Sequence, residues 1–403
     1  MKKQNEQRLK LAPKLRFKGF TNDWEQEKLK NVVERVTRKN NGKTDLPLTI
    51  SAQDGLVDQR HYFKRQVASK NMDNYILIKK GEYAYNKSYS KDYPFGAIKM
   101  LKKYDYGALS TLYIVFKTTN ISQRFLESYY ESHYWHKEIN KIAAEGARNH
   151  GLLNLSTQDF FKTNIKIPST LEEQLKISNI VNQLDSLITL HKRKIQVLKD
   201  QKNLFLNKIF ISQHGDIQLR FKGFTEPWEQ RKLKDMYEII MGQSPLSKNY
   251  TEDYKYDILV QGNADLKDGK VIPRIYTKQV TKLAKPNSII FTVRAPVGQI
   301  AINTKKVVIG RGVCSIEGDK FLYHKLEQLN NIKYWNKFST GSTFDSINSN
   351  DLKNMVLHIP KNIEEKNRIS HILDILDSMI TLHNEKLNKL KSLKKEYLNY
   401  LFI

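Results

Sequence analysis

Residues 15–30 read LRFKGFTNDWEQEKLK and residues 219–234 read LRFKGFTEPWEQRKLK, identical at thirteen of sixteen positions with an offset of 204. A second pair lies further along. Residues 165–194 contain IKIP, LEEQ and ISNIVNQLDSLITLH; residues 357–386 contain LHIP, IEEK and ISHILDILDSMITLH. Pro168 matches Pro360 at an offset of 192, so the first copy carries 12 more residues in its middle. The chain is written twice, each time as a near-identical edge, a dissimilar middle and a helix. Solenoid repeats do not fit, because their periods are only about 20–50 residues. Duplication of a whole domain explains the repetition, but not why the edges stayed alike while the middles diverged. A shared scaffold holding two segments with different tasks explains both.

The helices follow each Ile-Pro. Glu172–Glu173 and Glu364–Glu365 place acid in the first turn, where the helix dipole favours it. A 3-4 spacing then runs through Val181, Leu184, Ile188, His191, Ile195, Leu198, Lys202 and Phe205. The second copy repeats it through Leu373, Leu376, Ile380, His383, Leu387, Leu390, Lys394 and Tyr397. Such a narrow stripe, sustained for about four heptads, predicts a coiled coil. The economical arrangement pairs the two helices with each other, antiparallel and related by a pseudo-twofold axis. Helices of about 38–40 residues are roughly 57–60 Å long, enough to hold two segments about one to two DNA turns apart. His191 and His383 lack a second ligand at i+4 and read as register-setting polar residues, so no metal is expected. Asp185 and Asp377 read as solvated or paired with basic neighbours.

Both middles read as mixed α/β with short strands between turn signals. YDILVQGNADLKDGKVI, NSIIFTVRAPVGQIAINT and KVVIGRGVCSIEG in the second, and NYILIKKGEYAYNK and GALSTLYIVFK in the first, alternate β-rich runs with Gly, Asn, Asp or Pro breaks. Helical patches rich in aromatics follow at 121–144 and 320–338; Tyr129–Tyr130, Tyr134–Trp135 and Tyr334–Trp335 read as core in preference to base-stacking platforms. Loops carrying Arg, Lys, Asn, Gln, Ser and Thr at strand ends suit phosphate and base contacts. The candidates are Asn86, Lys87, Lys91, Arg148, Asn149 and His150 in the first middle, and Gln243, Ser244, Gln261, Asn263, Arg294 and Thr343 in the second. For any one of them the alternative is a turn residue capping a strand, or a plain surface charge.

The net charge of the 403-residue chain is +26, and residues 21–170 and 211–360 carry +8 and +7 of it. A basic excess shared by two globular segments points to a polyanion, because lysine and arginine that neutralise phosphates release condensed counterions. No apolar run approaches the roughly 20 residues that cross a bilayer, and MKKQNEQRLK lacks the apolar core of a secretory signal. Cys314 is the only cysteine, which excludes a disulfide framework and a cysteine-built zinc site. A cytoplasmic location is expected. Catalytic signatures are missing. There is no acidic-aromatic Pro-Pro motif for a flipped base and no Gly-rich cofactor turn. Gly42–Lys43–Thr44 has Thr37 where a phosphate-binding loop needs glycine. The reading is a non-catalytic chain that binds DNA.

The layout resembles the specificity (S) subunit of type I restriction–modification systems over nearly the whole chain. The doubled LRFKGFT…WEQ, the doubled Ile-Pro-x-x-x-Glu-Glu helix start and LDS-x-ITLH carry the resemblance most specifically. Gly-Gln-Ser-Pro at 242–245, Arg-Ala-Pro-Val-Gly at 294–298, and Gly-Ser-Thr-Phe at 341–344 followed by Ser346–Ile347 are weaker marks; the first middle departs, with Gly-Ala-Arg-Asn-His at 146–150. The resemblance implies an α+β protein with two mixed α/β target recognition domains joined by two long helices in an antiparallel coiled coil. Its parts would be a basic N-terminal segment (1–20), recognition domain 1 (21–167), a central helix (168–212), recognition domain 2 (213–359) and a C-terminal helix (360–403). Each domain would read one half of a gapped, asymmetric double-stranded DNA site. The helices would dock two methyltransferase (M) subunits, and two restriction (R) subunits would complete the cleaving complex. S-adenosylmethionine, ATP and Mg2+ would serve those partners, with no cofactor in this chain. Three rival readings stand beside it: a stand-alone nucleic-acid-binding scaffold, the recognition part of a fused methyltransferase–nuclease, and a protein-only coiled-coil adaptor. The chain's own Met and closing helix weigh against the second, and the +15 on the two middles against the third.

Overall fold

The computed structural model describes residues 12–51, 54–63, 68–69, 71–143, 152–210, 217–338 and 346–403. Four helices organise them: α1 (Gln123–Glu131), α2 (Leu171–Ile209), α3 (Lys320–Asn331) and α4 (Ile363–Tyr400). Contacts divide the chain into two units, residues 1–191 with 386–403, and residues 192–385. The division differs from the sequence-derived domains because it cuts both long helices. Each unit holds the start of one long helix and the end of the other.

In the first unit six strands form the frame: β1 (Glu25–Lys28), β2 (Val33–Arg35), β3 (Tyr83–Asn86), β4 (Ala97–Met100), β5 (Ile114–Thr118) and β6 (Asn164–Ile167). β1 pairs antiparallel with β6, Glu25 opposite Ile167. The others form an antiparallel sheet in the order β2-β5-β3-β4. Aromatic and β-branched side chains suit β3 and β5 to a pleated surface, and one face of them is buried. There the Tyr83 ring stacks on Phe116 at 5.3 Å, and Phe116 meets Phe160 at 5.6 Å. Burying each such phenylalanine contributes roughly 1.5–3 kcal/mol. Tyr129, Tyr130 and Trp135 belong to this core. Strand pairs 48–51 with 55–58, and 76–79 with 106–109, enclose a smaller one around Ile78, Leu101 and Val115.

His136 packs beside this core, its ring 4.4 Å from Trp135 and 5.0 Å from Phe95. Burial, then the neighbouring His133, pushes the imidazole down to about 4. A histidine whose folded pKa lies below the unfolded one binds fewer protons when folded, so stability falls as pH drops from about 6.5 to 4. The loss should reach at most about 3 kcal/mol. Urea unfolding at pH 7 and pH 4.5 checks this, and His136→Phe should flatten that acid limb.

The second unit repeats the frame with β7 (Glu229–Lys232), β8 (Ile239–Met241), β9 (Ile289–Thr292), β10 (Ile300–Ile302), β11 (Val313–Ile316) and β12 (Val356–Ile359). β7 pairs antiparallel with β12, and the sheet runs β8-β11-β9-β10 before continuing through 270–271 and 266–267. The strand order matches the first unit's. What differs is the decoration: a five-stranded sheet built from 250–251, 275–277, 257–260, 307–309 and 283–284. Here 257–260 runs parallel to 307–309, whereas the first unit's 76–79 and 106–109 pair is antiparallel. The middles therefore diverge around a common frame.

The doubled motifs close that frame in the same way twice. Leu29 N–H donates to the Thr163 carbonyl at 2.9 Å, and Leu233 N–H to Met355 at 2.9 Å. The Arg16 guanidinium grips the Glu173 carboxylate through two bonds of 2.8 and 2.9 Å; Arg220 grips Glu365 at 2.6 and 2.9 Å. Both glutamates lie in the first helical turn, where the sequence reading put them, and are 1% exposed. Glu172 and Glu364 are exposed, and the second glutamate of each pair has a further role that the sequence did not show, as the buried partner of the arginine of the opening motif. In each unit a tryptophan edge meets the phenylalanine one or two residues past a long helix: Trp24 with Phe402, and Trp228 with Phe210.

Along the helices Val181, Leu184, Ile188, Ile195, Leu198, Leu373, Leu376 and Leu387 are buried, while His191, Ile380, His383 and Leu390 are half-buried. The helix segments run antiparallel within each unit. In the first, Ile177 shares the core with Leu401 and Phe402 while Asp185 meets Lys394. In the second, Leu206 and Phe210 share a core with Ile369 and Leu373 while Lys202 meets Asp377. The two seam lysines make matching triads. Lys394 bridges Asp185 and Glu131 of α1; Lys202 bridges Asp377 and Glu327 of α3, both at 2.6 Å. Burial acts against the Lys394 charge, but the two carboxylates hold its pKa above the ordinary value. Burial likewise pushes the Asp185 and Asp377 carboxyls up, opposed by their lysines. Among the described residues no helix is long and apolar enough to cross a membrane.

Candidate nucleic-acid interface

In the second unit four strand-end segments meet: 242–244 after β8, 261–263, 294–298 after β9, and 310–312 before β11. Backbone hydrogen bonds lock them together. Gly242 N–H donates to the Val313 carbonyl at 3.0 Å, Gln243 to Ile309 at 2.9 Å, Gly310 to Val260 at 2.8 Å and Val293 to Gly312 at 3.0 Å. The Asp265 carboxylate accepts from the Gln261 and Gly262 amides at 2.8 and 3.2 Å, while the Ser244 hydroxyl oxygen accepts from the Arg311 amide at 3.1 Å. Two glycines permit this approach. A Cβ on Gly242 would lie 2.1 Å from the Gly310 carbonyl oxygen, and one on Gly312 would lie 2.1 Å from that of Gln261.

The structure thus brings together Gln243, Ser244, Gln261 and Arg294, with Asn263 two residues from Gln261. Gln243, Asn263 and Arg294 are exposed; Ser244 and Gln261 are half-buried. It also adds a residue that the loop reading passed over. Arg311 is exposed between Gly310 and Gly312, in the segment that bonds to Ser244, Val260 and Val293. Its signal was the Gly-Arg-Gly triplet after a β-branched run, where a charge occupies a tight connection. The four segments contain two arginines and no acidic residue. Thr343 lies outside the described residues.

In the first unit Asn86 ends β3, and its side-chain oxygen accepts from the Ser88 amide at 3.0 Å. Lys87 is tied back to the frame, its ammonium donating to the Leu155 carbonyl at 3.2 Å, which favours the capping alternative for that side chain. Lys91 is exposed on the following loop. Arg148, Asn149 and His150 lie outside the described residues. The positions still correspond: the Ser88–Leu152 bridge in one unit matches the Arg294–Ser346 bridge in the other. The Leu153 amide bond to Lys87 matches the Ile347 amide bond to Val293, each 3.0 Å.

One group of metal-ligand types occurs among the described residues, His324 with Glu327 and Asp377. The Lys202 ammonium sits 2.6 Å from both carboxylates and already supplies the cation. Burial works against the Glu327 charge, yet His324 and Lys202 hold its carboxyl below the usual range. Chemically, the loop cluster can donate and accept hydrogen bonds in a locally cationic setting; it presents no nucleophile–base pair.

Three comparisons bear on this arrangement. The putative type I restriction enzyme MjaX specificity subunit of Methanocaldococcus jannaschii is 27% identical over 94% of this chain and 92% of its own length. A solved type I restriction–modification S subunit from M. genitalium aligns over 97% of this chain and 99% of its own, with a TM-score of 0.63 at 13% identity. A chain solved in work on complex assembly and conformational transition of the type I R-M system aligns over 95% and 98%, with a TM-score of 0.57 at 20% identity. These two structures share the fold. The family model for the type I restriction modification DNA specificity domain matches twice, over residues 21–200 and 225–392, so the chain belongs to that family, the DNA-recognition component of these systems and not a catalytic one.

Proposed function

We propose that each unit reads one half of a gapped DNA site whose halves differ. One observation carries this: the two units share strand order and closing contacts, yet present different side chains at matching loop positions. Arg294 stands at the second unit's bridge where the first has Ser88. Phosphate contacts by exposed Lys and Arg would position the protein, and loop side chains would discriminate bases. Gln243, Ser244, Gln261, Asn263 and Arg294 are the candidates in the second unit. Asn86 and Lys91, together with the 148–150 segment, are those in the first. The long helices would dock two methyltransferase subunits and, in the cleaving complex, two restriction subunits join them. S-adenosylmethionine, ATP and Mg2+ would be used by those partners, in the cytoplasm.

The test is to express the chain with its methyltransferase subunit in a methylation-free host and map adenine methylation. One two-part motif with a fixed gap supports the reading. No methylation alongside a demonstrably active methyltransferase subunit favours a stand-alone binder. The helices, 39 and 38 residues and so about 57–58 Å each, are proposed to set the gap. Inserting one heptad in both should lengthen the gap and leave both half-sites unaltered; altered half-sites in the map would contradict the spacer role.

A further inference from the structure

We propose that Arg311 is a guanine-reading residue of the second unit's half-site, an inference that rests on the DNA-recognition reading above. Three observations converge on it. Its backbone is fixed before any ligand arrives: its amide is bonded to Ser244, and the adjoining Gly312 and the facing Gly242 pack at distances no Cβ would tolerate. Its guanidinium is exposed without a carboxylate partner among the described residues, whereas Arg220, Arg231 and Arg274 of the same unit's body each reach one, Glu365, Glu229 and Asp265. The four segments around it supply amides, a hydroxyl and Arg294, and the one carboxylate bonded to them, Asp265, is buried and held by the Gln261 and Gly262 amides.

A rigid tip bearing an unpaired planar fork, with the nearby Asp265 carboxylate buried and taken up by backbone amides, matches the paired O6 and N7 acceptors of guanine in the major groove. Gln243 and Gln261 beside it have the donor–acceptor pair that adenine requires. A phosphate contact needs only a positive charge and tolerates a flexible stem. Fixing the Arg311 backbone from three sides serves geometry, and geometry is what base reading uses.

The experiment uses the whole chain in complex with its methyltransferase subunits, after the motif has been mapped. Duplexes carrying that motif, and a set with each base pair replaced in turn, are methylated by wild type, Arg311→Gln and Arg311→Lys. The expected result is a loss of about 5- to 150-fold on the mapped duplex. Discrimination should also collapse at a single G·C pair of one half-site, with the other half-site and the gap untouched. Both variants should melt with wild type, since the side chain is exposed. A uniform loss at every position, with the salt slope reduced by about one, would make Arg311 a phosphate contact and overturn the proposal. So would unchanged discrimination. A wild-type complex that methylates no two-part motif would instead remove the reading on which the proposal stands.

Discussion

Arg220→Ala is expected to destabilise the second unit by about 3–5 kcal/mol, because it leaves the Glu365 carboxylate buried and unpaired. For a unit of this size the melting temperature should fall by roughly 6–20 °C. The pair is unlike an exposed ion pair, whose contribution rarely exceeds about 1 kcal/mol. Glu365 is 1% exposed, and Arg220 is bidentate to it while also donating to the Glu226 carbonyl. Replacing both partners with apolar residues should recover much of the loss, since neither charge is then stranded. Urea unfolding of Arg220→Ala, Glu365→Met and Arg220→Met/Glu365→Met decides the matter. A double variant as unstable as the sum of the singles would contradict the account. Arg16 and Glu173 should behave likewise in the first unit.

Phe402→Ala should cost the first unit about 3–5 kcal/mol although it lies next to the end of the chain as given. Phe402 is 1% exposed, with its ring 5.5 Å from Phe125 and 6.4 Å from Trp24. A frayed terminus would tolerate the change; a core residue would not. Phe210 holds the same place in the second unit, 5.3 Å from Phe321 and 6.5 Å from Trp228. The informative comparison is Leu393→Ala, on the same helix as the approach to Phe402 but 39% exposed. Limited proteolysis and denaturant unfolding should find Phe402→Ala much weakened in the first unit and Leu393→Ala near wild type. Equal, small effects would mean that the helix end does not complete that unit.

These two predictions also mark where the sequence was legible. The doubling was visible because the frame needs the same few groups twice: an arginine and a tryptophan eight residues apart in the opening motif, and a buried glutamate at the start of the helix. The helix seams were visible because burial against one neighbour imposes a 3-4 spacing on Leu, Ile and Val. The partner of each group was hidden. Nothing local links Glu173 to Arg16, or Lys202 to Glu327, because such pairs form only after distant segments fold together. For the same reason the end of each long helix was read as part of its own segment, whereas the end of α2 completes the second unit and the end of α4 the first. In the loops periodicity carries no information. Lys87 and Arg311 are both basic residues at strand ends, yet one is bonded back to a carbonyl and the other is free to reach outward. Only their surroundings separate them.

Two interchangeable frames carry two different readers. The most direct measurement replaces residues 237–355 with residues 33–163, junctions that fall at matching places in both frames, and maps methylation by the resulting chain with its methyltransferase subunit. The expected motif is built from two copies of the first half-site, with the second half-site gone. A motif that keeps the original second half-site would contradict it.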